Sequence, residues 1–134
     1  MGLISRIFGI CRTKPPADSG CWRYEDESMV IDVARAEELK VKGGAMRLEG
    51  SGLPVRVLVL RGEDNELYAF KNRCSHAARK LDPLPGRPQV QCCSVGKSTF
   101  DYSGLNISGS AKSPVDTFPV QDLGDKLVIF LGTK

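Results

Sequence analysis

Histidine, tryptophan and long apolar runs are all scarce in this sequence. The 134 residues include one histidine and one tryptophan, and aromatic residues make up 7% of the chain. No apolar run reaches the roughly 18 residues that a membrane-spanning helix needs, and no small-residue cleavage site follows a long apolar region near the start. These absences argue against a transmembrane helix and a secretion signal, so the sequence predicts a cytoplasmic protein.

A strong excess of charge of either sign is also missing. The 19 basic and 16 acidic side chains give a formal net charge of +3. A nucleic-acid-binding surface is a concentrated basic patch, so nucleic acid is not among the expected partners. The apolar fraction of 41% and the charged fraction of 26% are ordinary for a soluble globular protein, and the length fits one domain.

The cysteines do not form an obvious disulfide framework. There are five of them, an odd number, and Cys92 and Cys93 are adjacent. A chain of this length can bury a sufficient core without disulfide bonds. Metal binding or thiol chemistry is therefore expected in preference to structural disulfides.

The composition changes along the chain and divides it into three parts. Apolar residues recur at helical spacing within residues 1–12, which predicts a short amphipathic helix. Two interpretations of this helix stay open: a peripheral membrane or partner anchor with basic flanks, and a helix docked on its own domain. Proline and glycine in residues 13–27 predict a linker, and residues 28–134 are the expected domain.

Short strands are expected throughout residues 28–134. Residues 55–60 and 66–70 flank a polar turn cluster, which predicts a β-hairpin. Further strand candidates are residues 29–33, 90–92, 98–102, 118–121 and 127–131. Because proline and glycine separate these runs, the sequence predicts an all-β fold, a small antiparallel barrel or sandwich.

Two segments carry the residues with the most metal chemistry. Cys74-Ser75-His76 places a thiolate and an imidazole two residues apart, and His76 is the only histidine. Cys92-Cys93 follows further along the chain. Thiolate and imidazole together are the mixed ligands of a two-iron cluster in which cysteines hold one iron and histidines hold the other.

These motifs resemble those of Rieske iron–sulfur domains, which carry C-x-H followed by C-x-x-H-G and then F-D. Residues 74–76 match the first motif, and residues 100–101 match the exit from the second. Residues 109–115 are similar to the third loop that covers the cluster, and residues 118–130 to the closing strands. The resemblance spans about residues 29–132 and implies a Rieske-type barrel or sandwich with cluster-binding loops and a [2Fe-2S] cluster.

The second motif departs from the family pattern. Counting back from residues 100–101, Cys93 takes the cysteine position and Gly96 takes the histidine position. Counting from Cys92 instead puts Val95 in the histidine position. Neither glycine nor valine has a metal-binding side chain. Two-cysteine, two-histidine ligation within one chain is therefore impossible.

The resemblance implies a cluster held by Cys74, His76 and Cys93, with Cys92, water or a small exogenous ligand as candidates for the remaining place. Adjacent side chains on an extended segment point to opposite faces, so Cys92 and Cys93 would both reach one cluster only through a bulge. Ordinary structural roles also stay open: a free cysteine is often a buried small hydrophobe, and a lone histidine is often solvated.

The function that the resemblance implies is one-electron transfer by a ferredoxin-like protein that serves a redox protein partner and is not an enzyme. Nothing in the sequence resembles the mononuclear iron domain of Rieske oxygenases. One alternative is a Rieske-fold structural or docking module without a cluster. Another is a zinc or thiol site made by Cys74, His76, Cys92 and Cys93.

Overall fold

The protein folds as an all-β domain. The computed structural model describes residues 12–50, 52–73, 80–93, 98–109 and 113–132. Within these ranges the chain forms twelve strands and three short 3-10 helices, and no α-helix. Every strand pairing is antiparallel, so the predicted all-β antiparallel fold is confirmed. None of the helices in the described ranges is long and apolar enough to cross a membrane.

The twelve strands are short and follow one another closely along the chain. They are β1 (Trp22–Glu25), β2 (Ser28–Asp32), β3 (Ala45–Leu48), β4 (Val57–Arg61), β5 (Leu67–Lys71), β6 (Leu81–Pro83), β7 (Gln89–Cys92), β8 (Thr99–Asp101), β9 (Asn106–Ser108), β10 (Thr117–Phe118), β11 (Val120–Asp122) and β12 (Lys126–Phe130). The 3-10 helices are Ser19–Cys21, Val33–Arg35 and Glu37–Lys40.

The described strands make three sheets of four strands each. The first sheet has the order β1-β2-β12-β11, the second β10-β5-β4-β3, and the third β6-β7-β8-β9. The first sheet therefore joins the two ends of the domain, because β12 lies between β2 and β11. The third sheet is built from one continuous stretch of chain between β5 and β10.

The predicted hairpin is present as β4 and β5. Val57 pairs with Lys71 and Arg61 pairs with Leu67. In the turn, the Gly62 amide donates to the Glu66 carbonyl at 2.7 Å. Asn65 adopts a left-handed conformation with φ of 70°, which asparagine tolerates better than most residues. The polar cluster between the two apolar runs thus forms a tight turn, as predicted.

Strand β1 lies inside the range 13–27, for which the sequence predicts a linker. Trp22 pairs with Ile31 and Glu25 with Ser28. The half-buried Trp22 and Tyr24 alternate with exposed charged residues, as expected for a strand with one face on the core. The last residues of the range therefore belong to the domain, and four residues are too few for their alternation to stand out in a sequence.

Two hydrophobic cores lie on either side of the second sheet. The first core joins it to the first sheet and contains Met29, Ile31, Met46, Leu48, Val57, Val59, Ala69, Leu127 and Ile129. Cys21 and Leu39 from the 3-10 helices also belong to it, as does Ala36, which lies between the second and third of these helices. The second core joins it to the third sheet and contains Leu58, Leu60, Phe70, Leu81, Val90, Cys92, Phe100 and Val115. Strand β4 contributes to both, which explains its unbroken apolar run from Val57 to Leu60.

Candidate cluster-binding site

Three chain segments next to strands of the third sheet correspond to the two ligand motifs and to the covering loop. The first of these, residues 74–79, joins β5 to β6. The second, residues 94–97, joins β7 to β8, and the third, residues 110–112, joins β9 to β10. These three segments are called the first, second and third loops below. The structure describes the residues on both sides of each loop but not the loops themselves, so Cys74 and His76 lie outside the described residues.

Asn72 holds the two ends of the first loop together. Its backbone amide donates to the Arg56 carbonyl at 2.9 Å. Its side-chain Oδ1 accepts the backbone N–H of Leu81, the first residue of β6, at 2.7 Å. Asn72 is 1% exposed, so these hydrogen bonds are shielded from water. The residues before and after the first loop are therefore held next to each other by the side chain of Asn72.

The second loop is closed by the backbone and is attached to the first. The Cys92 amide donates to the Ser98 carbonyl at 2.7 Å, which joins the two ends of the second loop. The Cys93 amide donates to the Lys80 carbonyl at 2.9 Å. Since Lys80 directly follows the first loop and Cys93 directly precedes the second, the two candidate ligand segments adjoin neighbouring positions of the framework.

The third loop is anchored close to the same point. The Lys71 amide, just before the first loop, donates to the Asp116 carbonyl at 2.9 Å. The Val115 amide donates to the Gly104 carbonyl at 2.9 Å. Gly104 has a φ of +91°, and a Cβ there would lie 2.2 Å from the Val115 carbonyl oxygen. Position 104 therefore requires glycine, because a larger residue would push the third loop away.

The adjacent cysteines have different surroundings. Cys92 is the last residue of β7, pairs with Leu81 and belongs to the second core, and it carries a buried thiol. Cys93 is 2% exposed and is disulfide-bonded. The remaining cysteine of the described residues, Cys21, is a buried thiol, so Cys93 has neither of these as its partner. The Cys92 thiol is thus part of the apolar second core, whereas the Cys93 sulfur is in a disulfide bond.

No group of three or more potential metal ligands lies close together within the described ranges. Of the four candidate ligands, those ranges include Cys92 and Cys93 but not Cys74 and His76.

Asp101, which matches the exit of the second motif, caps a turn. Its Oδ1 accepts the Ser103 amide at 2.9 Å, the Ser103 hydroxyl at 2.6 Å and the Leu105 amide at 3.0 Å. Burial raises the pKa of Asp101, but the hydrogen bonds from Ser103 and Leu105 outweigh it and hold that pKa below its ordinary value. Its neighbour Phe100 is fully buried in the second core. Both residues therefore support the fold around the second loop.

Two other contacts lie beside the third sheet. Lys80 Nζ lies 2.9 Å from Glu49 Oε2, and the two side chains are 25% and 32% exposed. The rings of Tyr68 and Tyr102 stack with centroids 4.4 Å apart, and the Tyr68 hydroxyl donates to Asp64. That hydrogen bond raises the pKa of Tyr68 to about 12. These contacts place charged and aromatic side chains beside the third sheet without adding a metal ligand.

Nothing in the sequence alone assigns a role to Asn72, Lys80 or Glu49. Asn72 stands two residues before Cys74, and that spacing was the available signal. A buried asparagine next to a candidate ligand is a natural loop-closing residue because it can both donate and accept.

The sequence of residues 29–119 matches the family described as Rieske [2Fe-2S] domain. The carotenoid phi-ring synthase of Chlorobaculum tepidum is 31% identical over 93 residues, which are 69% of this chain and 14% of that protein. The chain thus spans about a seventh of the length of this relative.

Solved structures of ferredoxins have a similar fold. The ferredoxin of carbazole 1,9a-dioxygenase from Nocardioides aromaticivorans IC177 superposes with a TM-score of 0.59 at 23% identity, covering 72% of this chain and 91% of that one. A complex of reduced oxygenase and oxidized ferredoxin in carbazole 1,9a-dioxygenase gives a TM-score of 0.60 at 18% identity, covering 74% of this chain and 90% of the matched one. With the family match over most of the domain, the conclusion is that this chain belongs to the Rieske [2Fe-2S] domain family.

Proposed function

We propose that the protein is a ferredoxin-like electron carrier of the cytoplasm that takes up and passes on one electron at a time through a [2Fe-2S] cluster. The observation that carries the proposal is the junction of the loop ends. Because the Cys93 amide is bonded to the Lys80 carbonyl at 2.9 Å, the segment with Cys74 and His76 and the segment with Cys93 leave the framework side by side. Family membership supports the same function.

The residues available fit a cluster in three of its four positions. We propose Cys74 and Cys93 as the thiolates of one iron and His76 as an imidazole ligand of the other. A bound Rieske cluster supplies a one-electron couple whose potential the imidazoles raise relative to all-thiolate clusters. Cys93 is disulfide-bonded in the structure, and neither Cys21 nor Cys92 is its partner. Loading would require reduction of that disulfide, because thiolates are the form that binds metal.

The fourth ligand is proposed to be water or a small exogenous ligand. No second histidine exists in the chain. Cys92 is a weaker candidate because its side chain belongs to the second hydrophobic core, together with Leu81 and Phe100. Other residues of the chain would support the site. Asn72 and Lys80 fix the residues that flank the loops, and Phe100 and Val115 belong to the second core, which excludes water next to the loops.

A redox protein is the proposed partner, and no catalytic role is proposed. Among the solved structures with this fold is a ferredoxin seen in complex with its oxygenase, which supports a partner of that general kind. The enzyme relative is matched over 14% of its length, so its activity is not carried over to this chain.

Anaerobic purification with iron supplied tests the proposal. The expected protein has a broad visible absorption that bleaches on reduction, an EPR signal in the reduced state, and iron and sulfide in equal amounts. Cys74→Ser should abolish all three while leaving the far-ultraviolet circular dichroism unchanged. Zinc in place of iron would instead support a zinc site.

A cluster-free docking module is the second candidate. Two observations favour it: His76 is the sole histidine, and Cys93 is held in a disulfide. This candidate predicts a colourless, metal-free protein whose thermal stability is lowered by reduction of the disulfide. It also predicts that His76→Ala changes nothing measurable. A cluster that survives gel filtration would contradict it.

A further inference from the structure

We propose that Asn72 is a positioning residue for the cluster: its Oδ1 closes the first loop, and its Nδ2 donates a hydrogen bond to a sulfur atom of the bound cluster or of a cysteine ligand. The first role rests on the described contacts alone. The second rests on the proposed function, because the acceptor would arrive with the cluster.

The closing role follows from how the first loop is held. The Leu81 amide is bonded to the Asn72 side chain at 2.7 Å across nine positions of chain. The second loop, by contrast, is closed by a backbone bond between Cys92 and Ser98. A substitution cannot remove a backbone carbonyl, but it can remove Oδ1. The first loop therefore depends on the identity of residue 72, and the second loop does not depend on a side chain in this way.

The donor role follows from an unmatched polar atom. Asn72 is 1% exposed, and its Nδ2 is buried without a hydrogen-bond partner among the described residues. A buried amide nitrogen without an acceptor is costly, and most such groups in folded proteins are paired. Since Oδ1 is already used by Leu81, the amide group is fixed in orientation and Nδ2 cannot exchange places with it.

Sulfur is the acceptor that best matches this atom. Nδ2 belongs to the residue that closes the first loop, two positions before the proposed ligand Cys74, and water is shut out of that point. Hydrogen bonds to cluster and cysteine sulfur atoms are a general means by which proteins tune iron–sulfur potentials. An asparagine whose acceptor side is committed to the backbone can give its donor side to such a sulfur.

The test compares Asn72→Leu and Asn72→Asp with Asn106→Leu in the full chain. Aspartate keeps an oxygen for the Leu81 amide but loses the nitrogen, whereas leucine loses both. Asn106 is a matched control because its Nδ2 donates to the Thr99 and Ser108 carbonyls within the third sheet. Two readouts are needed: amide hydrogen exchange of Leu81 by NMR, and pulsed EPR of the reduced cluster in protein with heavy-nitrogen-labelled asparagine.

In the exchange experiment, the Leu81 amide should exchange about tenfold faster or more in Asn72→Leu, and Asn72→Asp should restore wild-type protection. Asn106→Leu should leave it unchanged. Wild-type protection in Asn72→Leu would overturn the closing role. This readout needs no cluster, so it decides that role even if the proposed function fails.

In the EPR experiment, a coupling from the labelled asparagine nitrogen, distinct from that of the His76 imidazole, should be present in the wild type and in Asn106→Leu. It should be absent in Asn72→Asp. The same coupling in Asn72→Asp, or no coupling in the wild type, would overturn the donor role. A wild-type protein that takes up no cluster would overturn the donor role and the proposed function together, while the Leu81 result would stand.

Discussion

The first core and the loop-bearing end of the domain are stabilised in different ways. In the first core, apolar side chains from two sheets pack on each other, and the strands pair along their whole length. At the loop-bearing end, a few specific hydrogen bonds fix the chain, among them those of Asn72 and Asp101. The first arrangement tolerates many apolar sequences. The second depends on individual residues, which is typical of a site built on a framework.

The two regions also differ in charge. Residues 73–80, 93–98 and 109–114 contain five of the 19 basic residues of the chain and none of its 16 acidic residues. The rest of the chain holds more acidic than basic residues. The positive net charge of the chain therefore comes entirely from these three segments, and the charge of the rest of the chain is slightly negative. A charge concentrated near the proposed cluster would influence which partners approach it.

The largest expected effect comes from the two adjacent cysteines, because Cys93 is a proposed ligand and Cys92 belongs to the hydrophobic core. Cys93→Ala should reduce bound iron to background, because it removes a proposed ligand. Cys92→Ala should keep the iron but lower the free energy of unfolding by about 1 kcal/mol, the loss of one small buried group. Iron content and urea unfolding measure the two effects. Iron lost from Cys92→Ala and retained in Cys93→Ala would reverse the assignment.

A substitution in the first core should have the opposite signature. Ile31 is fully buried between the first two sheets, so Ile31→Ala should lower the free energy of unfolding by about 2–5 kcal/mol. The iron bound per folded chain should not change. Ile107, which is 49% exposed on β9, is the control, since Ile107→Ala should cost within about 0.5 kcal/mol. Equal destabilisation by both changes would mean that the first core does not dominate stability.

The sequence predicts the framework better than the contacts that fix the loops. The hairpin β4–β5 and the strands β2, β7, β8 and β12 follow from apolar runs bounded by turn residues. The sequence does not predict strands β1, β3, β6 and β9, because each has only three or four residues and so short a run has no clear pattern. In β6, for example, Leu81-Asp82-Pro83 includes a proline and an aspartate, which disfavour a strand by themselves.

At the candidate site, the residue types follow from the sequence and their surroundings do not. The motif around Cys74 predicts a cluster loop, and alternation along a strand predicts that Cys92 and Cys93 point apart. That Cys92 packs in the second core while Cys93 is in a disulfide is consistent with this. The role of Asn72 could not be predicted, since it depends on where Leu81 returns to the framework. Such long-range contacts leave no periodic signal.

Acid should weaken the loop-bearing end through Asp101. Its hydrogen bonds hold the pKa of Asp101 below its ordinary value in the folded protein. The carboxylate therefore stabilises the fold fully above its unfolded pKa and loses that effect as pH falls through the folded value. Asp101→Asn should therefore cost about 1 kcal/mol near neutral pH, and the gap to the wild type should narrow below about pH 4. Thermal unfolding from pH 3 to pH 7 measures this.

A carboxylate that accepts a single hydrogen bond provides the control for that experiment. Asp122 accepts one amide, that of Gly124, at 2.9 Å in an exposed turn. Asp122→Asn should change stability less than Asp101→Asn at every pH. A constant gap between Asp101→Asn and the wild type across the range would show that the three hydrogen bonds of Asp101 do not depend on its charge.

The charge difference between the two regions leads to the smallest predicted effect. Arg73 is exposed immediately before the first loop, so Arg73→Glu replaces a positive charge with a negative one near the proposed cluster. Oxidation of the reduced protein by anionic ferricyanide should slow a few-fold at low salt, and its rate should become less dependent on ionic strength. Arg23→Glu makes the same change in net charge on β1, in the first sheet. Stopped-flow rates that fall equally in both variants would mean that net charge, and not the basic loop segments, governs the encounter. A fall confined to Arg73→Glu would instead favour a redox partner with an acidic docking face.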